Sequence, residues 1–296
     1  MSRTFLFGCA LTVLVLKGID AAPYRTPKIC IVHVTNQDES GYGSLPWPRS
    51  FHANILTQIE EAGADWVVFK SLIDSPGIAY DDQKLINVCA KYENVLLPSV
   101  YLLETSTAPW DSALLHRFKI KDKTQTTKFL DFPNCLIPFD PLARASAGIG
   151  NINVKTKGRK LVGVPLVVRI QGDLYPSLPL LTVLKVLNVS FEDVIAQDGS
   201  LLIGEQAVSM DPEGMMELKL TPPGQNYKSY SYTDIMNGHY KRKDLHGNIV
   251  VVGYAGKNHP VTFETEAALD HNVIDITADA IQCLLSNLDH PQSKSK

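Results

Sequence analysis

A Pro-Trp-Pro-Arg run at residues 46–49 carries the side chains best suited to form a binding site. Pro48 fits the first turn of a helix because its fixed φ suits that position, and Arg49 then falls in the same turn. A guanidinium there opposes the positive end of the helix dipole, so it calls for a compensating anion. Two interpretations follow. Either Trp47 packs on the sheet while Arg49 pairs with a buried acid, or both line a pocket for an anionic or planar ligand.

A second group of candidate residues follows an apolar run near the C-terminus, where Gly253, Tyr254, Ala255 and Gly256 occur in succession. Open α/β sheets bind ligands outside the carboxyl ends of their strands. Gly253 and Tyr254 therefore join Trp47 and Arg49 as predicted ligand-binding residues. The sequence has no Gly-x-Gly-x-x-Gly and no Gly-Lys-Ser/Thr run, so it does not predict a phosphate-binding loop.

Familiar catalytic and metal-binding patterns are missing from the sequence. There is no His-Glu-x-x-His, no Gly-x-Ser-x-Gly and no Cys-x-x-Cys. The adjacent carboxylates Glu60-Glu61 and Asp81-Asp82 fit helix surfaces and helix starts, where such groups are solvated or cap the helix. We therefore predict no catalytic residue, no metal site and no cofactor.

The elements that position these residues alternate in type along the chain. Apolar β-branched runs predict strands, and apolar residues at three- and four-residue spacing predict helices. The predicted strands are residues 28–35, 65–72, 94–103 and 248–253, and the predicted helices are residues 48–62, a segment from Asp81, and residues 177–187, 231–237 and 275–288. Strand–helix–strand order with short links implies parallel pairing. We predict a three-layer α/β domain with a mostly parallel sheet, helices on both faces and an antiparallel hairpin elaboration.

Three stretches do not follow this alternation. Residues 36–48 are rich in Gly, Pro, Ser and Asn and predict a loop. Residues 104–147 hold four prolines and predict an insertion or long loop with one short helix near residues 112–118. Residues 149–154 and 161–170 predict a hairpin around Lys155-Thr156-Lys157-Gly158.

The N-terminus has the features of a targeting segment. Arg3 precedes an apolar run from Thr4 to Leu16, which has the length of a secretory h-region and is shorter than the about 20 residues of a membrane span. We predict that residues 1–22 are a signal peptide or an uncleaved signal anchor and that the rest of the chain lies outside the cytoplasm. The polar residues 289–296 predict a disordered tail.

Charge and cysteine content argue against a nucleic-acid binder and bear on whether disulfides form. Lys plus Arg number 28 and Asp plus Glu 31, a net charge of −3, which argues against a dedicated nucleic-acid binder. Beyond the leader the cysteines are Cys30, Cys89, Cys135 and Cys283. Export permits disulfides, but the apolar surroundings of these residues favour buried thiols.

The order of several segments resembles the CHASE type-2 domain, an extracellular sensor domain of bacteria that is usually joined to cyclases or histidine kinases. The Leu45-Pro46-Trp47-Pro48-Arg49 run after Gly43 is similar to the family's most recognisable signature. The Asp81-Asp82 helix start, the segment 148–153 and the strand within 245–253 follow in the family's order. The resemblance extends over roughly residues 20–288.

This resemblance implies a sensory or ligand-binding module over residues 23–288 that is periplasmic or on the outer face of the inner membrane, and not an enzyme. The cytoplasmic output domain usual in the family is missing from the sequence, so the expected partner is a membrane-bound kinase or cyclase. Two alternatives stay open: an envelope-associated hydrolase-like enzyme, and an accessory protein that interacts only with other proteins. A pocket at the strand ends, a nucleophile–base pair or an exposed apolar patch would distinguish the three.

Overall fold

The structure, a computed structural model, describes residues 26–104, 112–256 and 262–289. The predicted leader, residues 1–22, lies outside this part of the chain. So does the predicted tail apart from Asp289, which is the last residue of a helix rather than part of a disordered segment.

Helices in the described residues are mostly short. Their bounds are α1 Asn36–Tyr42, α2 Arg49–Glu61, α3 Ala79–Tyr92, α4 Ser112–His116, α5 Asp140–Ala145, α6 Leu178–Val186, α7 Tyr232–Met236, α8 Arg242–Leu245 and α9 Val273–Asp289, with a 3₁₀ turn at Phe191–Asp193. The predicted helices at residues 48–62, 177–187, 231–237 and 275–288 are confirmed as α2, α6, α7 and α9.

The strands divide between one large sheet and several small ones. Their bounds are β1 Ile29–Val34, β2 Trp66–Phe69, β3 Val95–Leu102, β4 Lys121–Asp122, β5 Asp131–Phe132, β6 Asn134–Leu136, β7 Gly148–Asn151, β8 Lys155–Lys157, β9 Lys160–Pro165, β10 Val167–Ile170, β11 Asp173–Pro176, β12 Val194–Gln197, β13 Ser200–Ile203, β14 Gln206–Ser209, β15 Met215–Met216, β16 Lys228–Ser231, β17 Ile249–Tyr254, β18 Thr262–Phe263 and β19 His271–Asn272.

The main sheet has the strand order β16-β1-β17-β2-β3-β6, and β7 also pairs with β3. Every pairing in this sheet is parallel except β3 with β6. The parallel strands therefore share a carboxyl edge, where they end, and an amino edge, where they begin. Strand β1, the first among the described residues, lies between two strands from the last third of the chain.

Alternate residues of the central strands belong to two separate apolar clusters. Val32 and Val34 of β1 pack in the cluster that includes residues of α2 and α3, whereas Ile29 and Ile31 pack in the one that includes residues of α6 and α9. Both faces of β1 are thus buried, which explains its nearly continuous apolar sequence. The α/β class is confirmed, and the three-layer arrangement stays a prediction.

Residues 104–147 are not a single long loop. Besides α4, which the sequence predicted, the described part holds β4, β5, β6 and α5. Strand β6 pairs with the end of β3 in antiparallel register, Tyr101 opposite Cys135. Pro133, Pro138 and Pro141 lie within or between these elements and keep them short, which is why the segment gives no periodic signal.

The first strand of the predicted hairpin lies later in the chain than the sequence indicated. Residues 148–151 form β7, which joins the main sheet beside β3, and the hairpin itself pairs Lys155–Lys157 with Lys160–Pro165. The loop predicted at residues 36–48 also contains helix α1. The sequence predicted a single hairpin beside the main sheet. Within the described residues, the structure has four small sheets of two to four strands there.

The four cysteines of the described residues are free thiols. Cys30, Cys89 and Cys135 are buried and Cys283 is half-buried. Burial raises the pKa of the first three to about 12, so their thiols stay protonated and behave as small apolar groups.

Candidate functional site

A cleft of about 450 Å³ opens at the carboxyl edge of the main sheet, where β16, β1 and β17 end next to one another. We call it the carboxyl-edge cleft. Its lining consists mainly of short polar side chains: Thr35, Asn36, Gln37, Asp38, Ser231, Thr233, Asp234, Ala255 and Gly256. Open parallel sheets bind ligands in this position, because the loops after adjacent strands leave a crevice between them.

Two helices begin at this cleft, each directly after a strand. Thr35 follows β1 and caps α1, and Ser231 ends β16 and caps α7. In both caps the hydroxyl accepts a bond from the third helical residue, Asp38 or Asp234, whose carboxylate accepts one back from the cap residue's backbone N–H. These reciprocal bonds fix where each strand turns into its helix and so fix two walls of the cleft.

Asp38 joins the two walls. Its Oδ1 accepts bonds from the backbone N–H and the hydroxyl of Thr233, at 2.8 and 2.5 Å. Its Oδ2 accepts the corresponding bonds from Thr35, at 2.7 and 2.6 Å. Burial raises the pKa of Asp38, but these four bonds outweigh burial and leave that pKa below its usual value. Asp38 is therefore a charged, fully bonded link between α1 and α7.

His33 lies in β1 close to the two capping carboxylates. Burial lowers the pKa of its imidazole, while Asp38 and Asp234 act in the opposite direction. The ring is half-buried. His33 is therefore part of the cleft's electrostatic surroundings as well as of the strand.

Tyr254 is the last residue of β17, directly before the lining residues Ala255 and Gly256. Its hydroxyl donates to Oε2 of Glu39 at 3.2 Å, which ties the end of β17 to α1. A Cβ on Gly256 would lie 2.3 Å from that same hydroxyl oxygen and 2.8 Å from Oδ1 of Asn36. A larger residue at this position would therefore require the side-chain ends of Tyr254 and Asn36 to move.

The guanidinium of Arg49 binds groups of the protein itself. Its guanidinium forms an ion pair with Asp82 at the start of α3 and donates to the backbone oxygen of Ser75. The other oxygen of Asp82 accepts a bond from the backbone N–H of Gly77 at 2.8 Å. Arg49 also lies over the ring of Phe139, 5.3 Å from its centroid. These contacts favour the interpretation in which Arg49 pairs with a buried acid.

Trp47 is 6 % exposed and lies in an aromatic cluster. Its ring centroid is 4.9 Å from that of Phe51 and 5.7 Å from that of Tyr232, and its indole N–H donates to the backbone oxygen of Gly43 at 2.7 Å. Gly253 is buried in β17, where a Cβ would lie 3.1 Å from the side chain of Ile274. Both positions have a clear packing role.

None of the four predicted ligand-binding residues is among the described residues that line the carboxyl-edge cleft, although Gly253 and Tyr254 lead directly into it. Their role in ligand binding stays a prediction. The sequence analysis missed the capping segments 35–38 and 231–234. Their common signal is a Ser or Thr followed three residues later by Asp, directly after a strand, as in the two capping boxes.

No group of three or more His, Cys, Asp or Glu side chains in residues 26–104, 112–256 and 262–289 is arranged to hold a metal ion. Over the same residues, every helix is too short or too polar to cross a bilayer.

Comparison with known protein families identifies the family of the chain. The sequence profile of the CHASE2 domain matches residues 4–295, nearly the whole chain. No curated protein and no solved structure matches the chain. The profile match agrees with the Pro-Trp-Pro-Arg signature, with the α/β fold and with the resemblance inferred from the order of segments. The chain therefore belongs to the CHASE2 family of extracellular sensory domains.

Proposed function

We propose that this protein is an extracytoplasmic sensor module that binds a small polar ligand in the carboxyl-edge cleft. The observation that carries the proposal is the cleft of about 450 Å³ at the ends of three adjacent parallel strands. This volume falls within the range of ordinary small-molecule sites. Membership of a sensory family supports the same role.

The chemistry of the lining favours a ligand that forms hydrogen bonds. Gln37 is exposed at the cleft, and Asp234 is half-buried with its Oδ2 bonded to the backbone N–H of Ser231. An amide and a carboxylate offer both donors and acceptors to hydroxyl or amino groups of a ligand. The bonded Asp38 beneath them holds the lining in place, so little conformational freedom is lost on binding.

The hydrogen bonds of the cleft hydroxyls favour binding over catalysis. The hydroxyls of Thr35 and Thr233 both donate to Asp38, and the hydroxyl of Ser231 accepts from the backbone N–H of Asp234. A hydrolase nucleophile instead needs a base with a pKa near the working pH, and the pKa of Asp38, which accepts from both threonines, lies below its usual value. We propose that the module passes its signal to a separate membrane-bound kinase or cyclase.

A screen of small polar metabolites by thermal denaturation of the full chain tests the proposal. A ligand present at about 100 times its Kd adds about 2.7 kcal/mol of stability and is expected to raise Tm by about 5–10 °C. Replacing Gln37 with tryptophan fills the cleft from an exposed position, and we expect it to abolish that shift while leaving the Tm of the free protein nearly unchanged.

The matched control is Gln125→Trp, an exposed glutamine outside the cleft lining whose backbone N–H bonds to Asp198. This variant should respond to the ligand as the unaltered protein does. A ligand that stabilises the Gln37→Trp variant equally well binds elsewhere and contradicts the site. A metabolite that is converted to product during incubation contradicts the sensor role.

A further inference from the structure

A second cleft, of about 700 Å³, lies at the opposite edge of the main sheet, where β1 and β16 begin. We call it the amino-edge cleft. Basic side chains outnumber acidic ones in its lining: Thr26, Pro27, Lys28, Ile29, Asn226, Tyr227, Lys228, Lys243, Asp244, Asn248 and Gln282. Neither the proposed ligand site nor the family signature uses these residues.

The three lysines of this cleft are exposed, and the described part of the chain offers them no ion-pair partner. Among the described residues, none of Lys28, Lys228 and Lys243 has a carboxylate within ion-pair distance. Lys228 lies over the ring of Tyr230, 5.2 Å from its centroid. The one carboxylate in the lining, Asp244, accepts a bond from the hydroxyl of Tyr230 at 2.7 Å. The cleft therefore presents an excess of positive charge to solvent, three lysines against the one carboxylate of Asp244.

The path of the chain indicates what this charge faces. Thr26 and Pro27, the first described residues, line the amino-edge cleft, and the apolar run Thr4 to Leu16 precedes them closely in the sequence. Helix α9 starts at the carboxyl edge, where Thr277 accepts a bond from Lys70 at 2.5 Å, and contributes Gln282 to the amino-edge cleft. The described part of the chain thus begins beside the three lysines, a short distance in sequence after a segment suited to a lipid environment.

We propose that the amino-edge cleft binds the phosphate groups of anionic phospholipids, so that the domain rests on the membrane by this edge and turns the carboxyl-edge cleft away from it. The proposal rests on the extracytoplasmic location proposed above, but not on any ligand of the other cleft. Each lysine near an anionic surface strengthens binding about fivefold, so three contribute about 100-fold at low salt. Added salt screens this attraction.

Co-sedimentation of the full chain with vesicles measures the effect. Binding to vesicles of phosphatidylcholine is compared with binding to vesicles that also contain phosphatidylglycerol. The ratio of the two binding constants removes the contribution that residues 4–16 make to both. We expect a ratio of about 100 at low salt for the unaltered protein and a ratio near 1 for the triple variant Lys28→Gln, Lys228→Gln, Lys243→Gln.

The matched control is Lys123→Gln, Lys157→Gln, Lys160→Gln, which makes the same change in net charge at exposed positions outside the cleft. It should retain nearly the full ratio. Because a triple variant can fold poorly, acetylation of the unaltered protein gives a second readout. Phosphatidylglycerol vesicles should protect the three cleft lysines from acetylation and leave Lys123, Lys157 and Lys160 reactive.

Three results overturn the proposal. An equal loss in both triple variants shows that net charge, not the cleft, attracts the vesicles. Equal acetylation of all six lysines on bound vesicles shows that another face meets the lipid. Saturation of the cleft by inorganic phosphate, without preference for phosphatidylglycerol, shows a site for soluble anions. The Gln37→Trp variant should bind vesicles normally, so failure of the proposed ligand site is distinguished from failure here.

Discussion

Replacing Arg49 with alanine is expected to lower the free energy of unfolding by about 2–3 kcal/mol at neutral pH. The substitution leaves Asp82 at the start of α3 without its ion-pair partner, in a place where its side chain is only 9 % exposed. Removing one member of a fully buried pair costs about 3–5 kcal/mol. The 18 % exposure of the Arg49 side chain reduces that cost, because water replaces part of the lost interaction.

Denaturation by urea measures this change, and Arg159→Ala is the matched control. Arg159 pairs with Asp270, but both side chains are more than 60 % exposed, so its loss should change stability by less than about 0.5 kcal/mol. In a double-mutant cycle, Asp82→Asn should recover part of the Arg49→Ala loss. An Arg49→Ala protein of normal stability that loses only its response to a ligand would show that Arg49 binds the ligand.

Acidification is expected to destabilise the protein by about 3 kcal/mol through His52 alone. This side chain is 8 % exposed between the rings of Trp47, Phe69 and Tyr232. Burial, and to a smaller extent the charge of Arg49, lowers the pKa of His52 to about 4. The unfolded chain takes up a proton near pH 6.5 whereas the folded protein does not. The stability is therefore complete above pH 6.5 and is lost as pH falls towards 4.

The slope of stability against pH isolates this contribution. In the His52→Gln variant, the fall in unfolding free energy between pH 6.5 and pH 4 should be about 3 kcal/mol smaller than in the unaltered protein. His239→Gln, which removes an exposed histidine, should leave the slope unchanged. An unchanged slope in His52→Gln would mean that the ring takes up its proton over the same pH range in the folded and unfolded protein, and would sink this account of the aromatic cluster.

Elements with an apolar face could be predicted from the sequence, and polar ones could not. Strand β1 and helix α9 lie close to their predicted bounds because burial imposes a strong pattern on them. Helix α1 is almost entirely polar and depends on the cap between Thr35 and Asp38. Strand β16 is an edge strand with the sequence Lys-Ser-Tyr-Ser, and only its tyrosine is buried. Neither has a periodicity that a single sequence reveals.

Only part of the candidate site could be predicted from the sequence, and the reason is not a lack of periodicity. The expectation that a strand-end loop after β17 borders a cleft agrees with the position of Ala255 and Gly256. The remaining lining comes from residues 35–38 and 231–234, which meet because β16 and β1 are neighbours. Nothing in the spacing of either segment indicates that pairing. The ion pair of Arg49 with Asp82 was foreseen as a type of contact, but its partner required the structure.

The place of β1 between β16 and β17 also affects how the protein is made. During synthesis the first strand leaves the ribosome long before either neighbour exists, and both of its hydrogen-bonding edges stay open until the last third of the chain has followed. Closing so long a connection is slow, and open apolar strands readily associate with other chains. The main sheet can therefore close only after β16 and β17 have been made, and until then β1 is exposed to association with other chains.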